Sequence, residues 1–297
     1  MNQTVIKSAF MALQDRICSD LEILDVEGKF KEDAWERPGG GGGKTRIIIG
    51  KTIEKGGVNF SAVEGLMPEK ISTALGLEKT QFFATGVSIV LHAKNPFIPI
   101  IHMNVRYFET THGTWWFGGG IDLTPHYIDE ELASSFHQQL KNVCDKHASH
   151  YYSEFKKWAD DYFYIKHRKE TRGVGGIFFD RLDKTKGTKE DLFNFVMDVG
   201  NLFSTLYKEQ VDANRDKAFS PINKDWQLHR RGRYVEFNLV WDRGTKFGLD
   251  TDGNIESILM SLPPESRWTY KHDFDEEEEK TLNLLKKDID WVNRKAR

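Results

Sequence analysis

The chain has 297 residues, with 42 Lys and Arg against 45 Asp and Glu, for a formal charge of −3. That balance argues against nucleic acid or an anionic membrane as the main partner, since both favour a basic excess. Cys18 and Cys144 are too few for a disulfide framework or a thiolate metal site, which points to a reducing compartment. No apolar run approaches the ~18 residues of a membrane span, and no signal-peptide core opens the chain, so a soluble cytoplasmic protein is expected. With 39% hydrophobic residues, among them 20 Phe and 8 Trp, there is material for a large core.

In chain order, Val5, Ile6, Ala9, Phe10, Leu13, Ile17 and Leu21 recur at helical spacing and predict an opening amphipathic helix. A glycine-rich loop is expected from Pro38 to Gly43, followed by a strand over Thr45–Ile49. Its "GGGKT" does not fit a phosphate-binding loop, because a strand rather than a helix follows it. A mobile loop that closes over a site is the expected use of these glycines.

Residues 80 to 124 alternate with period two, as strands do. In "GVSIVLHAKNP" Ser88, Val90 and His92 share one face; in "IIHMNVRYFE" His102, Asn104, Arg106 and Phe108 do. The loop Ala93–Pro99 can make these strands neighbours, so that both polar sets line one surface. A solvated face would carry Lys and Glu instead of this set. The next strand, "WWFGGGIDLTP", places three glycines before Asp122, each costing about 0.5–1 kcal/mol relative to alanine. A bend explains them, and so does a flat ligand approaching the backbone closely.

Residues 128 to 168 return to helical spacing, with Leu132, Phe136, Leu140 and Val143 on one stripe, and with His137 and His167 in the same stretch. A helix from about Lys189 to Val211 takes Thr188 as its N-cap. Strands are expected again from 226 to 262, with Asp252–Gly253 as the turn between Phe247–Leu249 and Ile255–Met260. Arg230, Arg231, Arg233 and Arg243 suit a small polyanionic ligand or a salt-bridge network. A charged helix closes the chain at 275 to 294. Short turns between consecutive strands, and no Pro- or Ser-rich linker, predict one α+β domain over 1–297. Its antiparallel sheet would carry layers of helices. His92, His102, His137 and His167 with Asp122 allow a divalent metal, though no tight ligand spacing supports one.

Seven long strings resemble the oxygen-dependent coproporphyrinogen-III oxidases: "WERPGGGGGKTRI", "GVNFSAV", "ATGVSIVLHAKNPFIPIIHMNVRYFE", "WWFGGGIDLTP", "YFYIKHRKETRGVGGIFFD", "GRYVEFNLVWDRGTKFGL" and "ESILMSLPP". Only residues 1 to 25 and 272 to 297 carry little of the likeness. The resemblance implies oxidative decarboxylation of two propionates of coproporphyrinogen III to vinyls. Protoporphyrinogen IX, CO₂ and hydrogen peroxide are the products, with O₂ as co-substrate and no organic cofactor. It also implies a large antiparallel sheet sandwiched between helices, and a homodimer joined through about Tyr234 to Thr269.

Residue by residue, the likeness puts substrate contacts at Ser88, Asn104 and Arg106 and a proton donor at His102. Asp122 falls where an acid engages the pyrrole N–H groups. Some members are described with a divalent cation on four histidines, matching His92, His102, His137 and His167, and others work without metal. A hairpin that reads Gly-x-Arg in many members is "DGN" here, leaving the amides of Gly253 and Asn254 to meet a carboxylate. The rival readings are a tetrapyrrole-binding carrier, which would not need His102 or Asp122, and a metal-dependent dioxygenase.

Overall fold

The structure is a computed structural model describing residues 1–250 and 253–294. Helix α1 (Gln3–Asp25) leads into strands β1 (Lys31–Glu36), β2 (Gly41–Ile48) and β3 (Ile53–Leu66). A short helix, α2 (Glu69–Leu75), precedes β4 (Gln81–Ala93), β5 (Ile100–Thr110) and β6 (Trp115–Thr124). Helices α3 (Glu130–His147) and α4 (Tyr151–Tyr162) follow, then a small ribbon of β7 (Tyr164–Ile165) and β8 (Glu170–Thr171). Strand β9 (Gly175–Leu182) and the long α5 (Lys189–Asn214) come next. The remainder is helical: α6 (Pro221–Glu236), a π-helical turn at Phe237–Trp241, α7 (Arg243–Asp250), α8 (Ile255–Leu259) and α9 (Glu276–Leu284).

Seven of the strands form one antiparallel sheet in the order β1-β2-β3-β4-β5-β6-β9. Period-two alternation gives this sheet one apolar face, on which Val87, Ile89, Leu91, Ile101, Met103, Val105, Phe117 and Ile121 are completely buried. Helices α1, α3 and α5 cover that face, with Phe10, Phe136 and Phe203 among the residues they insert. Thr188 caps α5 as expected, accepting from the Asp191 amide. Helix α4 closes the free edge of β9 by packing Phe155 on Phe179 and Tyr162 on Phe178, which protects an otherwise unpaired strand.

Several expectations are corrected. The glycines of the expected mobile loop are paired strand: Gly42 and Gly43 stand opposite β1 and β3 at once, Gly41 stands opposite β3, and only Pro38–Gly40 turn. Their role is close packing, since a Cβ at Gly43 would lie 2.4 Å from the Trp35 ring. The expected strands over 226–262 are helices. Gln227, Arg231, Tyr234 and Asn238 recur at three- and four-residue steps and face inward, but the stripe is polar, so its helical period has no apolar signature. Phe247–Leu249 lies in α7, and Ile255–Leu259 forms α8. Asp252 of the expected turn lies outside the described residues. His167 sits in the β7–β8 connection, not on a helix, and the closing helix stops at Leu284.

The end of α1 is tied to the sheet by Asp25. Its fully buried carboxylate accepts from the amides of Gly28, Lys51, Thr52 and Ile53 at 2.7–2.9 Å. Burial would push this carboxyl up, but the four N–H donors outweigh it and hold it below its ordinary value. Gly50 leaves the room, since a Cβ there would be 2.0 Å from the carboxylate. Asp25→Ala strands four donors, so urea unfolding should show a loss of about 1.5–3 kcal/mol or more. A loss below about 0.5 kcal/mol would contradict this anchor role.

Candidate active site

The second face of the sheet carries the polar residues, and register sorts them into rows. Ser88 lies opposite Asn104, which lies opposite Gly120; Val90, His102 and Asp122 form the next row; Gly86, Arg106 and Gly118 the one beyond. The neighbouring strands expected from the sequence thus do line one surface. Asn59 and Thr45 extend it across β3 and β2, both bonded to Ser257 of α8.

A chain of three side chains crosses this floor. His102 Nδ1 lies 2.7 Å from Asp122 Oδ1, and the Arg172 guanidinium donates from Nη2 to both Asp122 oxygens at 2.8 Å. The Asp122 and Arg172 side chains are each only 2% exposed, whereas His102 is 22% exposed. Arg172 is caged by aromatic rings, with its guanidinium carbon 4.3 Å from the centroid of Phe163, 4.8 Å from Tyr234 and 4.7 Å from Phe237. Nη1 donates to Asn238 Oδ1 at 3.1 Å. Burial alone would raise the Asp122 carboxyl; the Arg172 cation and the His102 bond outweigh it and hold it below the ordinary carboxylate range. Tyr234, buried in the same cage, is pushed up to about 12. A carboxylate fixed to imidazole Nδ1 makes that nitrogen the N–H donor and leaves Nε2 as the proton-handling atom. His102 Nε2 has no hydrogen-bond partner among the described residues.

Two positions further along β5, Arg106 donates from Nη1 to Asn104 Oδ1 and from Nη2 to Asp180 Oδ1, each at 2.8 Å. The three glycines now have separate reasons. Gly118 and Gly120 make room on the site face: a Cβ on Gly118 would lie 2.5 Å from Asp180 Oδ1 and 2.8 Å from Arg106 Nε, and one on Gly120 would press on Phe178. Gly119 faces the core, where a Cβ would be 2.9 Å from the Phe179 ring.

The four histidines of the expected metal set do not converge. His92, pushed well below its ordinary value by burial and the Arg231 cation, gives Nε2 to the Ser261 carbonyl. His137, lowered to about 3 by burial, has both nitrogens engaged, by Tyr152 and the Val174 carbonyl. His167 binds Glu236 and accepts from Trp241. Among the described residues no group of three or more His, Cys, Asp or Glu is placed to hold a metal ion. These residues do not fit a four-histidine site. Nor are Gly253 and Asn254 bonded to the His102 cluster: the Gly253 amide donates to Gly248, and the Asn254 side chain caps α8. Neither Arg172 nor Asp180 carries a sequence signal of its own, because Arg172 lies in the segment between β8 and β9 and Asp180 at a break in the β6–β9 register. The motif "ETRGVGGIFFD" contains both.

Residues 5–291 match the family described as coproporphyrinogen III oxidase. An oxygen-dependent coproporphyrinogen-III oxidase of Prochlorococcus marinus is 46% identical, covering 98% of this chain and 91% of its own. The chloroplastic coproporphyrinogen-III oxidase 1 of Arabidopsis thaliana is 48% identical over 98% of this chain and 78% of its own. One from Rickettsia bellii is 50% identical over 90% of this chain and 98% of its own. The chain belongs to the coproporphyrinogen III oxidase family.

Removing the Asp122 charge isolates the chain's electrostatics. Asp122→Asn leaves a buried guanidinium without its counter-charge and should cost about 3–5 kcal/mol at pH 7. Because the folded-state value lies below the unfolded one of about 3.9, the wild type's advantage is complete above roughly pH 5 and is lost only as pH falls through the lower folded value. Denaturant titrations of both proteins at pH 7 and pH 3 should therefore show a gap that narrows in acid; a gap independent of pH would contradict the assignment.

Proposed function

We propose that this chain catalyses the O₂-dependent oxidative decarboxylation of two propionate side chains of coproporphyrinogen III, giving protoporphyrinogen IX. The family match supports the reaction class, and the observation that carries the reading is the Arg172–Asp122–His102 chain beside Arg106 on one sheet face. For each side chain, R–CH₂–CH₂–COOH and O₂ become R–CH=CH₂, CO₂ and H₂O₂. A C–H bond and the bond to the carboxyl carbon break, and O₂ takes up two electrons and two protons.

The residues divide this work. Arg106, with Asn104 and Ser88, binds carboxylates of the macrocycle on the glycine-lined floor, where charge-assisted bonds orient it. His102 moves the proton at Nε2. Asp122, whose oxygens are given to Arg172 and His102, acts through His102 by fixing its Nδ1–H and balancing imidazolium charge. The two electrons come from the C–H and C–C bonds broken in each propionate, relayed to O₂ through the electron-rich ring, which ends at its starting oxidation level. A homodimer accompanies this reading: within 234–269, Leu239, Val240, Phe247, Leu249, Ile255 and Trp268 expose large apolar surfaces that a second copy would cover. Cys18 and Cys144 are free and buried, which suits a reducing cytoplasm, and among the described residues no helix is long and apolar enough to cross a membrane.

The test is turnover of coproporphyrinogen III by metal-stripped protein before and after oxygen is admitted, read by porphyrin fluorescence and peroxide release. Conversion that begins with O₂ and needs no added metal is expected. Conversion only with Mn²⁺ or Fe²⁺ would return the histidines to ligand roles, and none at all would leave a tetrapyrrole carrier. His102→Asn should lower kcat by about 10²–10⁴-fold. Arg106→Leu should raise KM roughly ten-fold or more, from the loss of bonds to a charged group worth about 1.5–3 kcal/mol.

A further inference from the structure

Strand β9 breaks its register beside the site. Pairing passes from Gly119–Phe179 to Phe117–Leu182, so Asp180 and Arg181 together stand opposite Gly118, and Arg181 takes the left-handed φ of 49°. Such a bulge re-aims side chains. Here Arg181 swings away to the Leu75 carbonyl and over the Trp116 ring, while Asp180 points across the sheet to Arg106. The two charges meet over Gly118, where a Cβ would lie 2.5 Å from Asp180 Oδ1 and 2.8 Å from Arg106 Nη2. Glycine at 118 and the bulge at 180–181 thus serve the same contact.

That contact is loosely held. It is a single bond of 2.8 Å, with the Arg106 side chain 36% and the Asp180 side chain 34% exposed. Arg172 and Asp122, by contrast, share two bonds at 2.8 Å and are each 2% exposed. Half-exposed pairs contribute little and exchange partners readily. Arg106 also keeps its orientation through the separate bond from Nη1 to Asn104, so Nη2 can change partner without the side chain being released.

We propose that Asp180 is a displaceable stand-in for a substrate carboxylate. It occupies Arg106 Nη2 until a propionate of the macrocycle takes the same place, and by competing for that donor it sets the affinity with which the site admits a tetracarboxylate. The inference rests on the tetrapyrrole reading above and adds Asp180 to it as a residue that tunes binding.

The experiment titrates wild-type chain, Asp180→Asn and Asp180→Glu with coproporphyrin III by fluorescence, and measures KM for coproporphyrinogen III on the same proteins. Asn removes the competing charge while keeping the shape, so Asp180→Asn should bind the porphyrin about two- to five-fold more tightly, the equivalent of a half-exposed pair. The gain should appear in KM, not in kcat, and Asp180→Glu, which keeps a carboxylate, should stay near the wild type. Unchanged or weaker binding by Asp180→Asn would overturn the proposal and make Asp180 a residue that holds Arg106 in the complex. Should the wild-type chain neither bind the porphyrin nor turn over the porphyrinogen, the tetrapyrrole reading falls, and this inference with it.

Discussion

The contact on which the rest of the site depends is the buried ion pair of Arg172 and Asp122. A guanidinium and a carboxylate at 2% exposure are costly to desolvate, and such pairs persist only with good geometry and with their remaining hydrogen-bond capacity used. The geometry is good here, while the capacity is only partly used, since Arg172 Nε is buried without a hydrogen-bond partner among the described residues. Two bonds join the charges, Asn238 takes a further guanidinium proton, and three aromatic rings surround the cation. Asp122 is therefore held as an anion, and the anion in turn fixes the ring of His102. Elements far apart in sequence supply the parts: β5 and β6 carry His102 and Asp122, the segment after β8 carries Arg172, and α6 with its π-helical end carries Tyr234, Phe237 and Asn238.

The sheet makes this arrangement possible by dividing its labour between faces. Its apolar face is closed by α1, α3 and α5 into a continuous core, which gives the strands a rigid base. The other face is floored with Gly86, Gly118 and Gly120 among Ser88, Asn104, His102 and Arg106. Removing side chains there makes room within the face itself without interrupting the ladder, since Arg106, Asp180 and Phe178 occupy the space that a Cβ at Gly86, Gly118 or Gly120 would need. The C-terminal helices α6 to α8 lie over part of this face, with Ser257 bonded to Asn59 and Arg231 donating to the Ala93 carbonyl.

Legibility in the sequence followed the apolar period. The opening helix, the strands from Gln81 to Thr124 and the Thr188-capped helix each bury an apolar stripe, and each is where it was expected. The shared face of Ser88, His102, Asn104 and Arg106 followed from period-two reasoning alone, because adjacent strands with a short connection have little choice but to pair. Helix α6 is not legible because its inward stripe is Gln227, Arg231, Tyr234 and Asn238, whose polarity erases the pattern that marks a helix. Glycines 41 to 43 look like a loop in sequence, and only the opposing strands reveal that they pack against Trp35 and Ala62. Asp180 acquires its meaning only once β9 is placed beside β6, and Arg172 only once the segment between β8 and β9 is folded against Asp122. The family resemblance proposes His102 as proton donor and Asp122 as partner of the pyrrole N–H groups; the bonds from Asp122 to His102 and Arg172 are visible only in the structure.

The measurement that bears most directly on this account is the ¹⁵N spectrum of the His102 imidazole, assigned by comparison with His102→Asn. If Asp122 orients His102, neutral His102 carries its proton on Nδ1, strongly hydrogen-bonded, and leaves Nε2 as a lone pair toward the substrate face. A neutral ring protonated on Nε2, or one exchanging freely between the two tautomers, would contradict the account, because Asp122 would then not be fixing the atom that moves the proton.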